Sequence, residues 1–225
     1  MAGSCRSEDG YRYLHLCLCL LGDVRCHLRS LHLSFHPRVE REGWVTAVDG
    51  EPRIDPVELE DCLRNIVYCV DTREQPTESL EKRLTYLQPY ERETLSAGDY
   101  TAKTLLPDGT WFYVPVAVER KMSLTEIAGN FCRERERFRA EFNRARDAEI
   151  RLYILIERSS WESAYAGAYR SKMKPQSLIA SLMTWMARYK CAVLMCDRAD
   201  TGGKLIRDIL KYEMREALER MVDDG

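Results

Sequence analysis

Residues 98–121 read GDYTAKTLLPDGTWFYVPVAVERK, and this stretch decides the fold. Residues 100–106 and 111–118 are runs rich in aromatic and β-branched side chains. Pro107-Asp108-Gly109 between them is a turn sequence, so the pair reads as a β-hairpin. Pro115 lacks the N–H that a ladder needs, so the second arm must bulge or begin late. Charge gathers at one end of the pair, with Asp99 before the first arm and Glu119-Arg120-Lys121 after Val118. Strand side chains alternate, which puts Glu119 and Lys121 on one face and Arg120 on the other. With Asp99 on the neighbouring strand, its carboxylate meets that of Glu119 across the ladder.

Two carboxylates that close repel unless a positive charge compensates. A hard divalent cation does so, and magnesium commonly takes one or two carboxylates together with water and phosphate oxygens. Lys121 beside them is placed to orient or deprotonate a water, or to stabilise negative charge growing at phosphorus. Asp99, Glu119 and Lys121 therefore form a set suited to phosphodiester hydrolysis. The plainer reading of charged strand ends is a solvated sheet edge.

Outward from the hairpin the pattern stays regular. Residues 66–70 form an apolar strand that ends in Asp71-Thr72-Arg73-Glu74, and residues 78–87 a short helix with Thr77 as N-cap. Residues 123–147 read as one long helix, with Ser123 as N-cap and Glu126 completing a capping box. This helix carries arginines 133, 135, 137, 139, 144 and 146, laced with Glu134, Glu136, Glu141 and Asp147. Arg133 and Arg137 are candidate phosphate contacts, as are Lys172 and Lys174 in the basic cluster before Pro175. Residues 151–157, 175–189, 191–196 and 201–221 follow as strand, helix, strand and helix. Thr201-Gly202-Gly203-Lys204 lacks phosphate-loop spacing and reads as a helix start capped by Asp200 or Thr201. The order implies an α/β fold with a mixed central sheet flanked by helices.

Residues 1–60 differ, and are expected to be an irregular extension and linker before a domain at residues 61–225. All four histidines and four of the nine cysteines lie there. Cys17 and Cys19 with His32 and His36 suggest a zinc knuckle, but the cysteine pair is one residue too close for the usual spacing. The odd cysteine count and the apolar settings of the later thiols argue for free thiols in a reducing, intracellular compartment. The 225 residues are 45% hydrophobic and 31% charged, which excludes a disordered chain. No apolar run approaches the roughly 20 residues of a membrane span. Thirty-four Lys and Arg against 36 Asp and Glu leave no global basic field, so any nucleic-acid binding must come from a local patch.

Val70-Asp71-x-Arg73-Glu74, Gly98-Asp99-Tyr100 and Val118-Glu119-Arg120-Lys121, in that order, resemble the XPF-type nuclease domain of the PD-(D/E)XK superfamily, whose signature is GDx(n)ERKxxxD. Arg137-Phe138-Arg139-x-x-Phe142 resembles the family's helix segment facing the site, and the likeness runs over residues 66–218. The resemblance implies a restriction-endonuclease-like core. It also implies a Mg2+- or Mn2+-dependent endonuclease acting on flapped, forked or otherwise branched DNA. Asp99, Glu119 and Asp71 would hold the metal and Lys121 would be catalytic. Arg73, Glu74 and Arg120 would support the site, and Arg137 would meet the DNA backbone. Pairing through the nuclease domain, as homodimer or heterodimer, is expected. Thr125 stands where the family's last acid belongs, with Glu126 next to it as a substitute or as a helix cap. No helix-hairpin-helix module or helicase domain is read in the sequence, which suggests a stand-alone member of phage or prophage type. The alternative is a catalytically inactive DNA-binding or dimerisation module of the same fold, and RNA is an alternative substrate.

Overall fold

The structure is a computed structural model that describes residues 53–222. The zinc reading on Cys17, Cys19, His32 and His36 lies outside the described residues, as does most of the expected extension. The elements are α1 (Pro56–Arg64), β1 (Val67–Asp71), α2 (Glu78–Leu84), β2 (Tyr90–Glu93), β3 (Tyr100–Leu105), β4 (Trp111–Tyr113) and β5 (Val116–Lys121). They continue as α3 (Leu124–Cys132), α4 (Arg135–Asp147), β6 (Arg151–Glu157), α5 (Trp161–Ala166), α6 (Pro175–Tyr189), β7 (Ala192–Cys196) and α7 (Ala199–Glu219). The sheet runs β2-β1-β3-β5-β6-β7, with β4 paired to β3 beside this path. Pairings of β3 are antiparallel, whereas β1–β2, β5–β6 and β6–β7 are parallel. This is the mixed α/β architecture expected from the sequence.

Alternation along the strands sorts the core into two layers. Val70, Tyr100, Val118 and Leu155 pack against Ile206, Leu210 and Met214 of α7. Ala117, Leu152, Ile154 and Ile156 pack on the other face against Ile127, Phe138, Phe142 and Trp185. On β5, Val116 and Val118 therefore face α7, and Ala117 faces α3, α4 and α6. Continued by two residues, the same alternation turns Arg120 toward α7 and Glu119 with Lys121 toward α4. Burying the aromatic cluster of Phe131, Phe138, Phe142 and Trp185 is worth roughly 2–3 kcal/mol per ring, which fixes α4 over the end of β5.

The structure departs from the sequence reading at several elements. The long helix expected over residues 123–147 is two, broken at Arg133-Glu134. Phe131 and Phe138 lie seven residues apart, a rise of about 10 Å on a straight helix. Their ring centroids are 5.6 Å apart, and both rings pack on Trp185, which the turn between α3 and α4 makes possible. The second hairpin arm is also two strands. Lys103 pairs with Tyr113 and Tyr100 with Val118, so β3 changes partner where Pro115 interrupts the ladder. β2 (YERE) was not foreseen, because it has no apolar residue beyond its tyrosine. Residues 56–60, the end of the expected linker, join residues 61–64 in α1, whose Asp55–Glu58 capping box starts it and whose Leu59, Cys62 and Leu63 join the core. The last helix begins at Ala199, with Arg198 as N-cap. Gly202 and Gly203 sit inside it, where α7 presses on α2 and β6. A Cβ on Gly203 would lie 2.9 Å from the Arg83 backbone. No described helix is long and apolar enough to cross a membrane.

Candidate active site

Asp99 is placed by backbone. Its N–H donates to Val118 O at 2.9 Å, and its own carbonyl accepts from Asp71 N–H at 2.9 Å, so it lies between the ends of β5 and β1. The close approach needs Gly98, which has φ 69° and whose missing Cβ would come within 2.9 Å of Ala117 Cβ. The Asp99 side chain is half-buried, and its Oδ2 accepts the Arg120 N–H at 2.8 Å. Burial first, then the Glu119 and Glu74 carboxylates, push the Asp99 carboxyl well above the usual aspartate range. The Arg120 N–H and Lys121 pull in the other direction.

Glu119 and Lys121 sit together on the face toward α4, as alternation requires. Lys121 Nζ donates to Glu119 Oε1 and lies 5.2 Å from the centre of the Phe138 ring. Burial works against the Lys121 charge, but Glu119, then Asp99 and Glu126, outweigh it and raise the ammonium above its ordinary value. Lys121 is thus a charged donor at neutral pH. Glu126 is divided between two uses. Its Oε2 accepts Met122 N–H at 2.7 Å at the start of α3, while its Oε1 stands 3.9 Å from Lys121 Nζ.

Glu141 is a site residue that the sequence reading assigned to a solvated helix face. It follows Phe138 by three positions on α4, so it shares the face that covers Lys121. Burial first, then the charge of Glu119 and a hydrogen bond with it, push the Glu141 carboxyl up to about 7, against the pull of Lys121 and Arg144. Its charge is also felt by Arg73. The only signal in the sequence was this spacing from an apolar helix position.

Of the three carboxylates expected to hold a cation, Asp71 is the one already saturated. Oδ1 accepts the Arg73 N–H and Nε–H, both at 2.7 Å. Oδ2 accepts Arg73 Nη2–H at 2.8 Å and Leu95 N–H at 2.9 Å. A carboxylate has about four lone-pair positions, and these bonds use them. Burial would raise its pKa, but the bonds from Arg73 and Leu95 hold it below the usual aspartate value. Arg73, in turn, also donates to Leu95 O at 3.2 Å.

Glu74 and Arg120 belong to a buried network on the opposite face of the sheet. Arg120 Nε donates to Glu74 Oε1 at 2.9 Å, and the Tyr100 hydroxyl donates to the same oxygen at 2.9 Å. Arg83, 1% exposed, donates to both oxygens of Glu157 at 3.0 Å and to the Tyr100 hydroxyl at 3.0 Å. Arg120 Nη1 approaches Glu157 Oε2 at 3.8 Å. Arg83 and Glu157 escaped the sequence reading, since nothing local distinguishes them from surface charges. Arg133 is exposed in the turn after α3 and Arg137 on α4, and Lys172 and Lys174 are exposed before α6. None of the four pairs with a carboxylate among the described residues.

The donor set at Asp99 and Glu119 fits a hard divalent cation. Burial, with the Glu119 charge adding to it, holds the Asp99 carboxyl well above its normal pKa, a penalty that a bound cation would relieve, and oxygen donors suit magnesium or manganese. Among the described residues, no group of three or more His, Cys, Asp or Glu is arranged to hold a metal ion. The fit therefore rests on two protein carboxylates, which magnesium accepts when water and phosphate oxygens complete its shell.

Comparison with known proteins places the chain in a family. A model of the ERCC4 domain matches residues 70–209, a span that contains Asp71, Asp99, Glu119 and Lys121. No curated protein matches. Among solved structures, XPF from Aeropyrum pernix is similar with a TM-score of 0.50 and 17% identity, over 67% of this chain and 63% of that one. XPF from Aeropyrum pernix in complex with DNA is similar with a TM-score of 0.49 and 16% identity, over 67% of this chain and 66% of that one. The chain thus spans just under two thirds of each, and the first likeness carries the fold. With the family model covering most of the chain, this protein belongs to the ERCC4 domain family.

Proposed function

We propose that the protein is a divalent-cation-dependent DNA endonuclease that hydrolyses phosphodiester bonds at branched sites such as flaps and forks. The observation that carries this reading is the meeting of Asp99, Glu119 and the Lys121 ammonium at one end of the β3–β5 pair. Asp99 and Glu119 would hold Mg2+ or Mn2+, which when bound polarises the scissile phosphate. Lys121, charged and anchored over Phe138, acts as a hydrogen-bond donor to the phosphate as negative charge grows on it. Its raised pKa makes it a poor general base. Asp71 acts at one remove, through Arg73 and the Leu95 backbone. The Glu74, Arg83 and Glu157 network keeps β5 in register with Asp99. Exposed Arg133, Arg137, Lys172 and Lys174 supply phosphate contacts along the DNA. Pairing of two nuclease domains belongs to the same proposal and is read by sedimentation.

The test is cleavage of labelled flap, fork, nicked, single-stranded and RNA substrates with Mg2+ or Mn2+, repeated with chelator. Wild type should cut a branched DNA, and Lys121→Ala should lower the rate about 100-fold or more. Equal cleavage by Asp99→Asn and Glu119→Gln, each shown to be folded, would overturn the assignment. Metal-independent binding to DNA without turnover would favour the inactive-module alternative.

A further inference from the structure

At the opposite end of β1 from Asp71 the surface opens into a cavity of about 470 Å³, a volume typical of small-ligand sites. Arg64, Tyr68, Gln88, Arg207, Lys211 and Tyr212 are among its lining residues. Tyr68 is only 6% exposed, yet its hydroxyl has no hydrogen-bond partner among the described residues, although Tyr68 lines this cavity. The ring is packed in the core while the hydroxyl oxygen is not sealed there, so it opens on the cavity, where a ligand can reach it. Burial also raises its pKa, so it remains a neutral donor.

The walls define the ligand's chemistry. Lys211 is exposed and pairs with no carboxylate among the described residues. Arg64 is paired with Asp61, and Arg207 with Asp208 at 2.7 Å, but a guanidinium has five donors and each pair leaves some of them unused. Asp208 is the single acid among the lining residues, against three cations. Tyr212, 62% exposed, offers a flat face beside Lys211. Cations and a hydroxyl at one side and an aromatic ring at the other suit a ligand that joins a phosphate to a flat heterocycle. From Tyr68 to Asp71 is three residues of strand, or about 10 Å, and the two lie at different ends of it.

We infer that this cavity between α1, β1 and α7 binds a nucleotide unit, with its phosphate on Lys211 and Arg64, a hydrogen bond from Tyr68 and its base against Tyr212. The inference goes beyond cleavage and does not require it. The source of the unit is either a free nucleotide or a strand of nucleic acid leaving the cleft.

The full chain, in chelator, is titrated against fluorescently labelled deoxyadenosine monophosphate and followed by anisotropy. Wild type should bind, and Lys211→Glu, Tyr68→Phe and Tyr212→Ala should each weaken binding about fivefold or more, with melting temperatures confirming that they fold. Asp99→Asn should bind like wild type. An unlabelled single-stranded oligonucleotide that displaces the probe assigns the cavity to a strand, and failure to displace it assigns the cavity to free nucleotide. No binding by wild type, binding unmoved by the three variants, or binding lost with Asp99→Asn would each overturn the inference. The last would send the probe to the acidic cleft and leave the cleavage proposal intact.

Discussion

The backbone N–H of Arg120 donates to Asp99 Oδ2 at 2.8 Å, while the Arg120 guanidinium reaches through the sheet to Glu74 at 2.9 Å. One residue therefore couples the acidic cleft on one face to a buried ionic network on the other. Arg120→Ala leaves Arg83 as the remaining cation of this network for Glu74 and Glu157, with the Tyr100 hydroxyl still donating to Glu74. Losing one member of a buried ionic network costs about 3–5 kcal/mol, and partial compensation by Arg83 should place this variant at the low end. Chemical denaturation should show that loss. Cleavage should fall as well, since β5 presents both Glu119 and Lys121, and a variant as stable as wild type would count against the coupling.

Asp99→Asn should exchange function for stability. The carboxyl sits against Glu119 and Glu74 with its pKa raised, so its charge opposes folding, while an amide oxygen at the same place still accepts the Arg120 N–H. In chelator its melting temperature should rise above wild type, and cleavage with Mg2+ should fall about 100-fold or more. Thermal melts and the substrate panel read the two effects separately. A lower melting temperature would mean that the carboxylate is needed for folding.

Glu141 predicts a pH dependence. Its carboxyl titrates at about 7 in the folded protein, against an ordinary value of 4.5. The folded state keeps a proton that the unfolded chain gives up, so this stability is present at low pH and lost as pH rises through about 7. Melting temperature in chelator should decline between pH 5 and pH 8 by more in wild type than in Glu141→Gln, which cannot titrate, the two pH values being set about one to two units either side of the transition. Parallel curves for the two proteins would refute the assignment.

Gly203→Ala should be more damaging than a helix propensity scale suggests. Alanine favours a helix interior by about 1 kcal/mol over glycine, yet here its Cβ would lie 2.9 Å from both Cα and O of Arg83. Backbone must move, and α2 carries Arg83 into the ionic network. A net loss of about 1–3 kcal/mol is expected by urea denaturation, the usual range for overpacking. A gain in stability would show that α7 does not press on α2 as closely as the structure has it.

The most legible part of the site was also the most local. Glu119 and Lys121 are two residues apart, and strand alternation alone puts them on one face. Asp99 followed because a hairpin brings the start of β3 to the end of β5. The long helix over residues 123–147 was misread at Arg133 because periodicity sees a continuous apolar stripe, whereas the turn there comes from Phe131 and Phe138 converging on Trp185. β2 went unseen because an edge strand of polar residues carries no alternation. α1 went unseen because the prolines and glycines before it look like a linker.

By itself the sequence determined the strand order around residues 98–121, the shared face of Glu119 and Lys121, and the family resemblance, all of which rest on spacing along a short length of chain. Only the tertiary structure decided that Asp71 is saturated by Arg73 and Leu95, that Glu141 leans on Glu119, and that Arg83 and Glu157 lock Arg120 from behind. These pairs lie between two and 74 positions apart in the chain. Side chains on different elements meet only when packing fixes those elements, and no local pattern records which charge will be buried and which will face water.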